Sequence, residues 1–464
     1  MEKSISIQNS DAERNSSSEL LKTIVFYSNG YKDALAVIRL LGPAKHLGLK
    51  VIKGVKKGKC QIDAVRNGDI IIIQRDFCRD LNSYEQILSL AHAQKKPIVF
   101  DLDDLVFELP ENHPDRISSF YADALLPMLQ AIMEVDLVTV STPSLRDYCL
   151  PYNENVVVIP NYLNDSLWNF KEPTNSTPSS EKVTIGYMGG HTHKPDVLMV
   201  LSVLEKIVKK YPQKVQFQFW GIEPPTELAP FSHVDWCPPK SSEYADFVSY
   251  FQTQTADIMI APLCDNLFNS SKSPIKYFEY SAIGVPGVYS RVVPYSSMIE
   301  EGVDGYLVSS ASEWEASLSK LIEDQNLRRK IALNAQQKIK QHWLLSQNAE
   351  KQMQIYIDAI SNYGEFKHPF PSFYPIEKLL TRQTFNEQQH KTQQIKLLLE
   401  QLEERNRKNQ LLAEQLEERN RKNQLLAEQL EEREKEVLLY AQSKSWRFTR
   451  PFRKISQNFK KGPR

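Results

Sequence analysis

The 464-residue chain lacks an excess of charge of either sign, because 57 Lys and Arg side chains balance 57 Asp and Glu side chains. A chain-wide field that would recruit nucleic acid is therefore not expected. No stretch approaches the ~18 apolar residues that span a bilayer, and the first twenty residues do not resemble a signal peptide. The five cysteines show no CxxC pair or metal-type spacing, which favours a reducing compartment. We expect a soluble, cytoplasmic protein.

The remaining composition is that of a globular protein, with 41% hydrophobic and 10% aromatic residues. Residues 1–21 are polar and are predicted to be disordered. Residues 22–170 alternate short β-branched runs with amphipathic stretches, which predicts an α/β domain with a parallel sheet covered on both faces. The predicted strands cover residues 23–28, 69–74, 97–103, 137–141 and 156–160.

A Pro/Ser/Thr-rich linker at 171–181 precedes a second alternation, which predicts a second α/β domain over residues 182–345. Two such domains in tandem form a cleft between the carboxyl ends of their sheets, where ligands of open α/β sheets bind. A long helical pattern at 326–361 exceeds the needs of the second domain, so we expect a return helix at about 346–362 to pack against the first. Residues 363–395 are interpreted as a linker.

Residues 397–438 contain a nearly perfect 14-residue repeat, LLAEQLEERNRKNQ in its middle copy, which is two heptads. The seam alternates two leucines with Arg and Asn: Leu398, Leu402, Arg405, Asn409, Leu412, Leu416, Arg419, Asn423, Leu426 and Leu430. This pattern predicts a coiled coil over 396–441 and a homodimer through 397–438. A lone solvated helix and packing on another protein remain alternatives.

The C-terminal tail, residues 442–464, is basic and aromatic. Its last 22 residues hold eight Lys and Arg, no acidic residue, one Trp and three Phe. This mixture suits an anionic membrane surface. A disordered basic tail and a nucleic-acid contact are the alternatives.

Residues 257–290 carry the most informative chemistry. A buried strand leads to Lys272, and Ser273-Pro274 predicts a helix start with Ser as the cap. Lys276 and Glu279 then lie three residues apart on one helical face. Lysines at a helix N-terminus suit a phosphate, and a carboxylate suits a ribose diol, so a nucleoside-diphosphate site is one interpretation. An ordinary surface ion pair is the other.

A second loop, after the strand at 183–188, combines close backbone approach with basic side chains. It contains Gly189, Gly190, His191, His193 and Lys194, of which Gly189, Gly190, His191 and Lys194 are predicted to bind the same ligand. The first domain has a similar but weaker loop pattern, because Asn29 and Gly30 follow its first strand.

The acidic segment FDLDDL, residues 100–105, lies at the end of the predicted strand 97–103 and contains Asp101, Asp103 and Asp104. Oxygen ligands of this kind can hold Mg²⁺ or Mn²⁺. Orientation of an acceptor and capping of a loop are the alternatives, and we expect no metal, since the second domain already offers cations for a phosphate.

Together, these residues resemble a known family. Residues 183–310 are similar to the C-terminal donor-binding domain of retaining glycosyltransferases of family 4, the group 1 type with the GT-B fold. The resemblance rests on IGYMGG, FWGIEP, DIMIAPL, KSPIKYFEYSAIGVPGVYS and EEGVDGYLV. With the first domain included, it spans about 22–362.

The resemblance implies two Rossmann-like domains facing across a cleft, with a C-terminal coiled coil appended. It implies sugar transfer from a nucleotide-diphospho-sugar, with no cofactor, to a glycan or lipid-linked acceptor. Glu279 matches the family's ribose-binding glutamate, and Lys272 and Lys276 fall at its donor-phosphate positions. Retention by same-face attack needs no protein nucleophile, so no catalytic residue is assigned. The end of the chain, SWRFTRPFR, resembles bacterial cell-surface polysaccharide enzymes, which implies a site at the inner face of the membrane.

One departure separates the chain from this pattern. The family's first Glu, which meets the transferred sugar, is replaced by Ser271, a neutral and shorter hydrogen-bonding group. Two interpretations follow from this. The chain is either a branch of the family with different sugar recognition or a degenerate scaffold that oligomerises through its coiled coil. A dinucleotide oxidoreductase or epimerase is a third class, but neither glycine loop has the GxGxxG spacing that it requires.

Overall fold

The computed structural model of the protein describes residues 20–173, 182–228, 234–364 and 374–442. Within these ranges, residues up to Phe385 form one compact unit, and residues from Asn386 onward form a second. Nearly all of the predicted disordered N-terminus, most of the first linker and nearly all of the basic tail lie outside the described residues.

The first domain is built on a parallel sheet. Its strands are β1 (Thr23–Tyr27), β2 (Lys50–Lys53), β3 (Val55–Lys56), β4 (Lys59–Cys60), β5 (Ile70–Gln74), β6 (Ile98–Leu102), β7 (Leu137–Val140) and β8 (Val156–Val158). Six of them are parallel in the order β2-β1-β5-β6-β7-β8, while β3 and β4 form a separate antiparallel pair. All five side chains of β5 are buried, as expected for a strand covered on both faces.

Helices cover both faces of this sheet. They are α1 (Ala34–Ala36), α2 (Gly42–His46), α3 (Leu81–Ala93), α4 (Pro114–Ile117), α5 (Leu125–Glu134) and α6 (Pro143–Cys149). A π-helical segment, Val37–Leu41, joins α1 to α2 and carries Arg39. Single turns of this kind are frequent at functional sites.

The second domain repeats the architecture with β9 (Val183–Gly189), β10 (Val215–Gly221), β11 (Val234–Cys237), β12 (Ile258–Ala261), β13 (Gly287–Ser290) and β14 (Tyr306–Val308). These strands are parallel in the order β11-β10-β9-β12-β13-β14. The helices are α7 (Lys194–Met199), α8 (Leu201–Lys210), α9 (Tyr244–Phe251), α10 (Leu267–Ser270), α11 (Ile275–Ala282), α12 (Val293–Ser296) and α13 (Ala311–Glu323).

The helical pattern at 326–361 forms two helices, α14 (Gln325–His342) and α15 (Leu345–Ser361). The break lies where the Leu163 N–H donates to the Trp343 carbonyl at 2.9 Å. Helix α15 then packs on the first domain: Tyr356 joins the core cluster of Ile24, and Gln352 donates to the Arg39 carbonyl at 2.6 Å. The chain thus crosses between the domains a second time.

A 69-residue helix, α16 (Tyr374–Gln442), ends the described chain. Its first turns pack on the first domain, since Phe385 joins that domain's core and Lys378 Nζ lies 2.8 Å from Glu134 Oε1. Residues 374–395 of the predicted linker are therefore helical. Pro375 stands in the first turn, where a missing N–H costs nothing.

Candidate functional site

The carboxyl ends of the two sheets meet at a cleft, and direct contacts join the two domains beside it. Thr142 Oγ1 donates to the Ser271 carbonyl at 2.8 Å, and Asn161 Nδ2 donates to Ser273 Oγ at 2.9 Å. Residues from both domains therefore line the same cavities.

Helix α11 brings the predicted cation and carboxylate to this cleft. Pro274 occupies the N-cap position, and no side chain caps the helix, because the Ser273 hydroxyl instead accepts from Asn161. The prediction of a Ser273 cap is thus wrong. Lys276 and Glu279 lie one turn apart on the same face, as predicted, and both are buried.

The Lys276 ammonium is unusual in being almost fully enclosed, with 8% of the residue exposed. Its Nζ lies 3.3 Å from His193 Nε2 and 5.7 Å from the centre of the Tyr187 ring. Burial, and then repulsion by Lys272, lower the pKa of Lys276 to about 8. A cation held this way at low dielectric interacts strongly with any anion that enters.

Glu279 is 4% exposed, and its Oε1 accepts from the Tyr244 hydroxyl at 3.3 Å. Burial raises the pKa of Glu279 to about 8, although Lys276 and Tyr244 oppose the shift. An acid and a base with displaced pKa values, one turn apart in a cleft, mark a candidate functional site.

Lys276 and Lys272 line a cavity of about 210 Å³ between the domains. The first domain contributes Arg39, Asp103, Asp104 and Asn161 to its wall, and the second adds His193 and Ser273. Lys272 Nζ lies 4.4 Å from the centre of the Phe268 ring, a cation–π contact. The cavity therefore has a basic wall from the second domain, whereas the wall from the first domain combines two carboxylates with the Arg39 guanidinium.

Two further cavities adjoin it on the side of the second domain. One of about 360 Å³ shares Lys276 and His193 and adds Gly189, Gly190 and Glu279. The next, of about 200 Å³, shares both glycines and is mainly apolar, with walls of Met188, Trp220, Gly221, Pro238, Pro239, Tyr250 and Phe251. From the first of these three cavities to the third, the lining groups are therefore first cationic, then a carboxylate, and then apolar.

A fourth cavity, of about 190 Å³, lies beside Lys272 and His193. Asn112 and His113 of the first domain and Asn269 of the second line it. The His113 Nδ1 accepts the Asp115 N–H at 3.2 Å, which leaves the proton on Nε2. This cavity is rich in neutral hydrogen-bonding groups.

Three predicted donor ligands do not line the four cavities described above. His191 and Lys194 are exposed, and the histidine that lines the cavities is His193. Ser271 is fully buried, and its hydroxyl donates to the Leu267 carbonyl at 2.9 Å. The Ser271 hydroxyl is therefore bonded within its own turn, and its contact with the sugar stays a prediction.

Asp196 is a site residue that the sequence analysis missed. Its Oδ2 lies 2.8 Å from His193 Nδ1, and its Oδ1 accepts from Asn269 Nδ2 at 3.1 Å. The i, i+3 spacing of His193 and Asp196 on a helical turn was the available signal.

The predicted residues of the first domain divide into two groups. Asp101 is buried and accepts from Arg39 NH2 at 2.7 Å and from Thr139 Oγ1 at 2.8 Å, so it is structural rather than a cleft ligand. Asn29 and Gly30 also make local hydrogen bonds, to Asp76 and to Ser28.

Asp103 and Asp104, by contrast, line the cavity that holds the lysines. Asp103 accepts from Arg75 NH1 at 3.1 Å, and burial raises the pKa of Asp103 to about 6. Among the described residues, no group of three or more His, Cys, Asp or Glu is arranged to hold a metal ion. No helix of the described ranges is long and apolar enough to cross a membrane.

Comparison with known proteins agrees with this architecture. Residues 182–324 match the family model described as Glycosyl transferases group 1. No curated protein sequence matches the chain closely enough to count as a relative. The family match covers the second domain, which contains Lys272, Lys276 and Glu279.

Three solved structures are similar in fold. Anabaena Alr3699/HepE, in complex with UDP-glucose, is 14% identical and matches 72% of this chain and 98% of its own, with a TM-score of 0.51. Sucrose-phosphate synthase from Thermosynechococcus elongatus is 13% identical over 73% and 99%, with a TM-score of 0.52. A glycosyltransferase from Rickettsia africae is 14% identical over 74% and 99%, with a TM-score of 0.50. The predicted GT-B fold is confirmed.

Proposed function

Because residues 182–324 form a glycosyl transferases group 1 domain within a GT-B fold, we propose that the protein transfers a sugar from a nucleoside-diphosphate sugar to a glycan or lipid-linked acceptor. The observation that carries the proposal is the pair on helix α11: a buried Lys276 ammonium and a buried Glu279 carboxyl that face adjoining cavities. A diphosphate needs the first and a ribose diol needs the second.

The order of the cavities supports one orientation of the donor. The apolar cavity beside Trp220 and Tyr250 suits a nucleobase, and Glu279 with Gly189 and Gly190 suits the ribose. Lys276 and Lys272 then meet the diphosphate. The sugar lies beyond the phosphates, toward the first domain.

Asp103 and Asp104 face this position from the first domain and suit an acceptor rich in hydroxyl groups. In the proposed reaction, the bond from the anomeric carbon to the β-phosphate oxygen breaks, and the acceptor oxygen bonds to that carbon on the same face. The acceptor proton passes to the departing phosphate. The lysines stabilise the charge that develops on the leaving group, which is the largest catalytic term expected in such a site. The proposal assigns this charge to side chains rather than to a metal ion.

The experiment is a thermal-shift panel of UDP-, GDP-, ADP- and dTDP-sugars with the full chain. A donor at 100 times its Kd stabilises the fold by ~2.7 kcal/mol. We expect one base to give such a shift, and Lys276→Ala to abolish it, while Lys209→Ala, an exposed lysine far along helix α8, leaves it unchanged. A panel without any shift, or a Lys276→Ala protein that still responds, contradicts the proposal.

A non-catalytic GT-B scaffold is the second candidate, and the buried, self-bonded Ser271 favours it. The two candidates differ in turnover. A scaffold binds the donor in the panel but releases no nucleoside diphosphate from it with any acceptor, whereas an enzyme releases the nucleoside diphosphate and Lys276→Ala slows the release.

We also propose that the chain forms a homodimer through the coiled coil at 397–438. In helix α16 the seam leucines are all exposed, for example Leu412 at 61% and Leu426 at 57%. An exposed seam of this length is stabilised by a second helix. Asn at one core position in every two heptads favours a two-helix coiled coil over higher oligomers.

The neighbouring leucines provide a matched control, because Leu411 and Leu425 are 56% exposed but lie outside the seam. Replacing Leu412 and Leu426 by Gln is expected to convert the dimer to a monomer in light scattering. Replacing Leu411 and Leu425 by Gln is expected to leave the dimer intact. Equal effects of the two pairs of substitutions, or a monomeric wild type, would refute the proposal that the seam leucines form the dimer.

Bacterial surface-polysaccharide synthesis at the inner face of the membrane is the proposed setting. It is supported by the composition of the tail at 443–464, in which eight cations alternate with aromatic residues. A tail of this kind after a coiled coil would bring the cleft to a lipid-linked acceptor.

A further inference from the structure

The carboxylate of Asp196 lies behind the proposed phosphate site, and both of its oxygens have hydrogen-bond partners. Asp196 is 5% exposed, and Oδ1 accepts the Cys264 N–H at 2.8 Å and Asn269 Nδ2 at 3.1 Å. Its other oxygen, Oδ2, lies 2.8 Å from His193 Nδ1. With three partners held by two loops of the second domain, the carboxylate has a fixed position.

This carboxylate determines the tautomer of His193. An ionised Asp196 only accepts, so the imidazole proton lies on Nδ1 and the Nε2 lone pair is free. Burial, and then repulsion by Lys276 and Lys272, lower the pKa of His193, which keeps the ring neutral. The Lys276 ammonium therefore donates one of its three hydrogens to Nε2.

The remaining two hydrogens of Lys276 are thereby directed away from His193. The charged groups that act on Lys276 are Lys272, Asp196, Glu279 and Asp104. Among the described residues, none of these charged groups forms a hydrogen bond with Nζ, so His193 is the neutral group that fixes the ammonium.

We propose that Asp196 and His193 are positioning residues: they form a chain, Asp196–His193–Lys276, that aims the ammonium at the donor's diphosphate. This inference rests on the proposed function. It assigns His193 the role of a neutral acceptor behind the lysine, rather than that of a cationic phosphate ligand.

The test is calorimetric binding of UDP, GDP, ADP and dTDP to the full chain and its variants. Loss of a hydrogen bond to a charged group lowers affinity roughly 10- to 100-fold, and we expect this from His193→Leu. Asp196→Asn is expected to do the same. Its amide keeps an oxygen for Cys264 and Asn269 but donates to His193, which moves the imidazole proton to Nε2, opposite the ammonium.

Two comparisons separate positioning from a structural or direct role. In the Lys276→Ala background, His193→Leu is expected to change affinity less than about twofold, since interacting residues are non-additive. His193→Gln, whose amide oxygen can accept from Lys276, is expected to restore binding. The alkaline loss of affinity is expected to begin at lower pH in His193→Leu, because its ammonium has lost an acceptor.

An equal loss from His193→Leu with and without Lys276, or an unmoved pH profile, would overturn the inference. A wild-type chain that binds none of the four nucleotides refutes the proposed function instead. A His193→Leu protein that melts far below the wild type leaves the decision to Asp196→Asn and His193→Gln, which preserve the polar contacts around Cys264 and Asn269.

Discussion

Raising the pH should weaken binding of the nucleoside diphosphate through one side chain, Lys276. With the pKa of Lys276 lowered to about 8, about 90% of the side chain is charged at pH 7 and about 10% at pH 9. A bound diphosphate favours the charged form, so binding takes up a proton above this pKa. The contribution of Lys276 alone is therefore expected to raise the Kd about tenfold from pH 7 to pH 9.

The range above pH 7 avoids titration of the terminal phosphate, whose second pKa is about 6. Lys276→Arg supplies a matched control, because a guanidinium stays protonated at every pH in this range. With a nucleoside diphosphate that lacks the ribose diol, we expect its Kd to be nearly constant between pH 7 and pH 9. Lys276→Ala should bind weakly and also lose the pH dependence.

Glu279 changes the Kd with pH in the opposite direction. The pKa of Glu279 is raised to about 8, and its ionisation on raising the pH creates the better acceptor for a ribose diol. Calorimetry with a 2′,3′-dideoxynucleoside diphosphate, which keeps the same terminal phosphate but has no ribose diol, isolates the lysine. A tenfold rise in Kd that persists in Lys276→Arg would refute the assignment of the titration to Lys276.

Three further predictions concern other parts of the chain. At pH 9, where the wild-type carboxyl is ionised, Glu279→Gln should weaken UDP or GDP binding roughly tenfold by removing one diol acceptor, yet leave pyrophosphate binding unchanged in the same calorimeter; equal losses for both ligands would exclude a ribose role. Asp101→Asn should lower the free energy of unfolding in urea by about 3–5 kcal/mol, because it leaves the buried Arg39 guanidinium without a counter-charge; a loss below about 1 kcal/mol would show that the pair is dispensable. Anionic vesicles should pellet the full chain but not a chain of residues 1–442, and equal pelleting of both would remove the membrane role of the tail.

The sequence predicted the sheets well because their strands are buried on both faces. Ile70–Gln74 is five buried residues with four isoleucines, a pattern that only a covered strand favours at this length. Lys50–Lys53 escaped prediction because it is a short edge strand with a lysine exposed at each end. The start of the long helix was missed because residues 363–395 were interpreted as a linker, although Pro375 stands in the first turn of the helix, where proline is tolerated.

At the site, sequence spacing alone predicted correctly which residues share a face when they lie on one helix, as with Lys276 and Glu279. It failed where the partner is distant in sequence. Asp101 is neutralised by Arg39 on the first domain's π-helical segment, so its apparent metal-binding motif is structural. The choice between His191 and His193 depends on the rotation of a single turn, and Asp196 decides it.

The most direct measurement of the central claim is a crystal structure with the nucleoside diphosphate that binds most tightly. We expect the diphosphate oxygens to lie within hydrogen-bond distance of Lys276 Nζ, the ribose hydroxyls on Glu279, and the base in the apolar cavity beside Trp220. A nucleotide bound elsewhere, with Lys276 and Glu279 both free of it, would contradict the account.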